Sequence, residues 1–313
     1  MPDTALRVVV PPVGRSVRRL VALALVVAVT LSVASCAQRR DPTIAPTLSP
    51  QEGSGVVTES GIPYREVDGQ TLAADACLPA DSEGPSAAVI LLHGGGFTSG
   101  SRTDESMVNL CLWLAENGYA AFPISYRFAP DHIFPSQTED VAAAVAWLRD
   151  PAQAARFDID AARIGALGSS AGAILALEAA TLGEGALDTG PRLKAAVALS
   201  GVADMTSGAV DLGTPSPQAV TIILNYLGCV SIADCDGAAA SPVNHVDPTD
   251  PPVLLVNAEQ DLVPVEQAGH MADALQSVGV VSEVVVVPGA GHGAQLMNQD
   301  VRDRTLEFLA TYL

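Results

Sequence analysis

The chain is short of positive charge: 16 basic residues stand against 35 acidic ones among 313, a net charge of −19 at neutral pH. Four of those basic residues, Arg7, Arg15, Arg18 and Arg19, fall before Cys36, so the remainder is more acidic still. A surface of that sign repels phosphate backbones and argues against a nucleic-acid partner. The chain also lacks a His-Glu-x-x-His pattern and a Cys-x-x-Cys pair, so no metal site is expected. No internal repeat is present. Nor does any apolar run reach the roughly 20 residues that a membrane-spanning helix needs: the run from Leu20 to Ala34 holds 15.

That run has another use. Arg15, Arg18 and Arg19 precede it and Val33-Ala34-Ser35-Cys36 closes it, a charge-then-apolar-then-small order that reads as a targeting segment over residues 1–35. Its end resembles the bacterial lipobox, which implies lipidation of Cys36 and a membrane-anchored lipoprotein on the extracytoplasmic face; a plain secretory signal is the alternative. The general and twin-arginine export routes stay open, because Arg18-Arg19 alone separates them poorly. Four further cysteines, an even number in an exported chain, predict two disulfides, Cys229 with Cys235 and Cys77 with Cys111, against the alternative of buried free thiols. Residues 36–60 carry Pro, Ser, Thr, Gly and Gln without apolar period, which predicts a disordered tether and a folded domain from Gly61 to Leu313.

Within the domain, Asp68-Gly69 marks a hairpin turn between Tyr64–Val67 and Thr71–Leu78. Apolar runs at 87–92 and 120–126 suit strands buried on both faces, and further strands are expected at 164–167, 195–199, 253–257 and 281–287. Helical patterns lie between them at 106–117, from Ser136 (with Glu139 as a capping box) to Asp150, after Gly172, at 265–278 and at 300–312. Alternation of this kind predicts a mostly parallel, doubly wound α/β sheet. Met205 to Asp250 breaks the rhythm and reads as a small cap insertion, about 205–250, or as a surface excursion without a role.

Chemistry gathers at the ends of the expected strands. Gly168-Ser169-Ser170-Ala171-Gly172 sits at a strand-to-helix junction, where small neighbours allow a tight turn that exposes the Ser170 hydroxyl. A frame centred on Ser169 fails, since Leu167 stands where its first glycine belongs. Serine needs a base, an orienting acid and oxyanion donors. His292, Asp261, and the amides of Gly95, Gly96 and Ala171 are the candidates, in the chain order Ser, Asp, His of the α/β-hydrolase triad. Glu259 is the substitute acid. His93 is expected to shape the glycine loop; His132, His245 and His270 to serve the surface or packing; Tyr126 and Arg127 to be structural; Phe97, Tyr226 and Met297 are candidate liners of an acyl pocket.

From about Gly61 to Leu313 the chain resembles the bacterial α/β-hydrolase carboxylesterases of the hormone-sensitive-lipase and BD-FAE-like groups. The matching residues are His93-Gly94-Gly95-Gly96-Phe97, Tyr126-Arg127-Phe128-Ala129-Pro130 with Phe134-Pro135, the Ser170 turn, Asp261 with Val263-Pro264, and Gly291-His292-Gly293. Ala173 and Asn257-Ala258 depart from the family's usual residues without removing a catalytic atom. The resemblance implies an α/β-hydrolase fold and cofactor-free hydrolysis of small acyl esters by Ser170, Asp261 and His292, with Gly95, Gly96 and Ala171 as oxyanion donors. A peptidase or thioesterase on the same fold, and a non-catalytic lipid- or cell-wall-binding protein, are the rivals; oligomeric state is not legible.

Overall fold

A run of six apolar residues in a strand has to be covered on both faces, and β4 (Ser86–Leu92), apolar from Ala87 onward, is buried along its whole length. In the computed structural model, which describes residues 49–50 and 55–313, Ala88, Ile90 and Leu92 enter one hydrophobic cluster and Val89 and Leu91 the opposite one, as the two-residue period of a strand requires. Among the described residues the sheet has nine strands in the order β1-β2-β3-β5-β4-β6-β7-β8-β9. Its antiparallel edge is the two-residue β1 (Ser49–Pro50), β2 (Val56–Val67) and β3 (Gln70–Pro79). The strands β5 (Ala120–Ile124), β4, β6 (Ile159–Ser169), β7 (Ala196–Leu199), β8 (Val253–Gln260) and β9 (Ser282–Ala290) run parallel.

Helices cover both faces. On one side α1 (Glu105–Glu116) and α7 (Gln299–Tyr312) bring Met107, Leu110, Leu114, Phe308 and Leu309 against Val89, Leu167 and Val197. On the other, α2 (Ser136–Arg149), α3 (Pro151–Phe157) and α4 (Ala171–Thr181) pack on Ile90 and Phe122, and α6 (Val265–Ser277) packs on Leu255. Every residue of α4 is buried, because this helix lies between the sheet and further elements stacked outside it. This is the α/β-hydrolase fold.

Three local readings change. Strand β2 starts at Val56, so residues 56–60 belong to the sheet and not to the tether. The Asp68-Gly69 turn itself holds, with both residues at positive φ, 51° and 73°, as a two-residue hairpin loop demands. The Ser136–Glu139 capping box does not form: Pro135 occupies the cap position, and the Glu139 carboxylate instead accepts from Arg127 at 3.2 Å. A charged donor outcompetes a backbone amide for that carboxylate. Third, α3 is an additional helix, begun by Pro151 and capped by Asp150 accepting from the Ala152 amide.

The insertion after β7 carries no strand among the described residues; its main element is α5 (Pro217–Leu227), opened by Ser216 accepting from Ala219 N at 3.1 Å and closed by Gly228 at φ 70°. Disulfides join Cys77 to Cys111, linking β3 to α1, and Cys229 to Cys235, just beyond α5. Cys36 and the targeting segment lie outside the described residues, and no helix among those residues is long and apolar enough to cross a membrane.

Candidate active site

Parallel strands deliver their following loops to one edge of the sheet, so the loops after β4, β6, β7, β8 and β9 meet. The turn after β6 is strained: Ser170 has φ 55° and ψ −117°, outside the comfortable regions for a side-chain-bearing residue. Its glycines make the turn possible. A Cβ on Gly168 would collide with the Gly172 carbonyl, and one on Gly172 with the Leu92 carbonyl of β4.

Ser170 Oγ lies 2.8 Å from His292 Nε2, and His292 Nδ1 lies 2.6 Å from Asp261 Oδ1. An ionised carboxylate only accepts, so Nδ1 carries the proton and Nε2 is the acceptor for the serine hydroxyl. The Asp261 side chain is shut off from solvent. Burial pushes its carboxyl up, yet hydrogen bonds from His292, Ser200 and the Val263 amide outweigh that and hold it below the ordinary carboxylate range. Glu259, the substitute acid, is exposed and accepts instead from the Gly289 amide at 3.0 Å.

Ser200, which follows β7, is the residue that sequence reasoning missed. Its hydroxyl donates to Asp261 Oδ2 at 2.5 Å and accepts from the Gly293 amide at 2.8 Å, so it holds the acid loop to the histidine loop. A second strap runs from the Ala294 amide to Ser169 Oγ at 2.9 Å and ties the histidine loop to the serine turn. A lone Ser in Leu199-Ser200-Gly201 carries no motif; its φ of 62°, rare for serine, is visible only in the structure.

After β4 the glycine loop turns back on itself. Gly95 (φ 116°) and Gly96 (φ 61°) need the freedom of glycine, and the Gly95 carbonyl accepts from the Thr98 and Ser99 amides at 3.2 and 3.1 Å. Among the described residues the Gly95, Gly96 and Ala171 amides take no protein acceptor. His93 supports this loop from below: its Nδ1 lies 2.7 Å from the Gly94 carbonyl, its ring stacks on Tyr126 at 4.3 Å, and the Tyr126 hydroxyl donates to the His93 carbonyl at 2.7 Å. Burial pushes the His93 imidazole below its ordinary value, which suits a neutral spacer.

Arg127 is buried and ion-paired to Asp140 at 2.9 Å and Asp68 at 2.9 Å, a structural role. His132 faces Asp68 at 3.7 Å, His270 faces Asp204 at 3.8 Å and His245 meets the Ala239 carbonyl at 2.9 Å, all away from Ser170. Phe97 and Tyr226 are not pocket liners: both are fully buried and stacked on each other at 3.8 Å, which joins the glycine loop to α5. Met297 does line a cavity, but the wide one.

Two cavities meet at Ser170. A wide one of about 690 Å³ is bordered by Gly94, Gly95, Asp104, Asn109, His292, Met297 and Arg302. A narrow apolar one of about 20 Å³ lies on the other side, bordered by Ala171, Ile174, Val202, Ile222 and Ile223. The arrangement supplies a hydroxyl, a base oriented by a buried carboxylate, free amides beside the hydroxyl, and two unequal spaces.

A family model described as BD-FAE matches residues 74–275. The esterase LipC of Mycobacterium tuberculosis is 31% identical over 245 residues, which cover 73% of this chain; the chain spans only 58% of the length of LipC. An ethyl acetate hydrolase of Pseudomonas putida is 30% identical over 253 residues, 75% of either chain. Among solved structures, a truncated carbohydrate esterase from gut microbiota superposes with a TM-score of 0.70 over 84% of this chain and 98% of its own; at 23% identity the likeness is one of fold.

Proposed function

Because the chain belongs to the BD-FAE family, we propose that it is a serine carboxylesterase acting on small acyl esters through an acyl-enzyme. The observation that carries this reading is the continuous chain of contacts from Ser170 Oγ to His292 at 2.8 Å and from His292 to Asp261 at 2.6 Å. Ser170 Oγ attacks the ester carbonyl as His292 Nε2 takes its proton. The carbonyl oxygen gains charge and is met by the Gly95, Gly96 and Ala171 amides, whose worth is greatest once that charge has formed. His292 then returns the proton to the leaving alcohol, water enters by the same base, and the acid departs. Asp261, held ionised, keeps the imidazole in the tautomer that accepts at Nε2.

Direction of binding follows from the proton. The leaving alcohol must lie beside His292, which borders the wide cavity; the acyl group therefore takes the narrow apolar side, which has room for little more than one water-sized group. Ethyl acetate, the substrate in the name of the Pseudomonas relative, has an acyl group of that size. The reading is tested with p-nitrophenyl esters from acetate to laurate and with a serine-directed phosphonate. Hydrolysis of acetate, its loss by at least about 1000-fold in Ser170→Ala, and phosphonate labelling at Ser170 are expected. Failure of every ester together with an unlabelled Ser170 defeats it.

The same reading places the enzyme outside the cytoplasm on a lipid at Cys36. Support comes from the sequence around Val33-Ala34-Ser35-Cys36 and from the two disulfides, which suit an oxidising compartment.

A further inference from the structure

The narrow pocket at Ser170 does not end in solid protein. A second cavity of about 50 Å³ lies behind it, and four residues border both spaces: Val202, Ala219, Ile223 and Val263. Of these, Ile223 is the long side chain on α5, and it is only partly buried. The far cavity is lined chiefly by apolar groups, among them Met205, Ala209, Pro215 and Val220. Two of its three polar members are already engaged: Gln267 Oε1 accepts from the Ala203 and Asp204 amides at 2.9 and 3.0 Å, and Asp204 Oδ1 accepts from the Thr206 amide at 2.8 Å. No polar ligand is called for there, and an alkyl chain satisfies the lining.

We propose that the two spaces are one acyl site divided by Ile223, whose side chain sets the acyl-length limit, and that the far cavity takes the alkyl tail of a medium-chain acyl group when that wall is shortened. This rests on the serine-esterase reading above. With Ile223 in place, the acyl end meets a wall after roughly one water-sized step, so long acyl groups are rejected sterically while the reacting carbonyl is unaffected. The selectivity thus sits on the insertion helix, not on the sheet that carries the reacting groups.

The test compares kcat/KM for p-nitrophenyl acetate and octanoate in the wild type, Ile223→Val, Ile223→Ala and the double variant Ile223→Ala/Ala209→Leu, with acetate as the internal reference. The wild type should prefer acetate. Ile223→Ala should raise the octanoate-to-acetate ratio by about 10-fold or more, Ile223→Val should raise it less, and the added Leu in the far cavity should bring it back down. Ile223→Val covers the case in which the alanine variant does not fold. A folded variant whose ratio equals that of the wild type overturns the proposal while leaving the esterase reading intact. So does a wild type that takes octanoate as readily as acetate. A wild type that hydrolyses neither ester overturns the divided site, and the esterase reading falls with it when every other ester also fails and the phosphonate leaves Ser170 unlabelled.

Discussion

Ser200 joins parts of the site that lie far apart in the chain: its hydroxyl holds Asp261 at 2.5 Å and receives the Gly293 amide at 2.8 Å. Hydrogen bonds to a charged group contribute about 1.5–3 kcal/mol. If the Asp261–His292 pair must stay aligned while His292 becomes charged, most of that shows in the transition state. Loss of the hydroxyl should then lower kcat by about 10- to 100-fold with little change in KM. Ser200→Gly is the informative variant, because glycine adopts the native φ of 62° without strain, whereas Ser200→Ala removes the hydroxyl and keeps the strain. Equal losses in the two assign the effect to the hydroxyl; activity retained in Ser200→Gly would show that only the backbone matters. The glycine loop, serine turn, acid and histidine were legible because each is a short local pattern after an apolar run. Ser200 was not, because its role depends on partners 61 and 93 residues away.

Three helices meet at one buried carboxyl. Glu178 of α4 is fully buried; its Oε2 accepts from Thr138 of α2 at 2.5 Å, and the Tyr226 hydroxyl of α5 lies 2.9 Å from Oε1 and 2.8 Å from Oε2. Burial pushes its pKa up to about 8, with the bonds from Thr138 and Tyr226 pulling against that shift. In the unfolded chain a glutamate titrates near about 4.3. Between those values the folded protein keeps the proton and the unfolded chain loses it, so this group makes stability fall as pH rises from about 4.3 to about 8. Glu178→Gln cannot titrate and keeps an acceptor for both hydroxyls. Its melting temperature should therefore drop less between pH 5 and pH 8 than that of the wild type. Asp250, pushed up to about 6 by burial, adds a slope of its own to both proteins, so the difference between them isolates Glu178. An unchanged difference between the two pH values would mean that Glu178 does not hold its proton. The node also shows why α5 was hidden in the sequence. Its amphipathic stretch lies in an insertion, and Tyr226, expected in a pocket, instead sits under Phe97 and against Glu178, where only packing could have put it.

At the scale of the whole chain, the parallel sheet was readable because strands covered on both faces are nearly pure apolar runs, while the ends of elements depended on tertiary partners. Glu139 went to Arg127 and not to a cap, and the sheet reached back to Val56 because β2 pairs with β3 as far as Pro79. Cysteine use adds a further step. Of five cysteines in the sequence, four are joined as Cys77–Cys111 and Cys229–Cys235, and the fifth is Cys36, which follows the stretch proposed above as a targeting segment. On the proposal that the chain is exported, lipidation is the use of Cys36 that its neighbours Val33-Ala34-Ser35 fit. In a bacterial host that processes lipoproteins, the full chain should incorporate radiolabelled palmitate and sediment with membranes. Cys36→Ser should lose the label and leave the membrane fraction, yet the released protein should still hydrolyse p-nitrophenyl acetate, since no residue of the site precedes His93. Label retained in Cys36→Ser would rule out this cysteine as the anchor, and a wild type found unlabelled in the medium would favour a plain secretory signal.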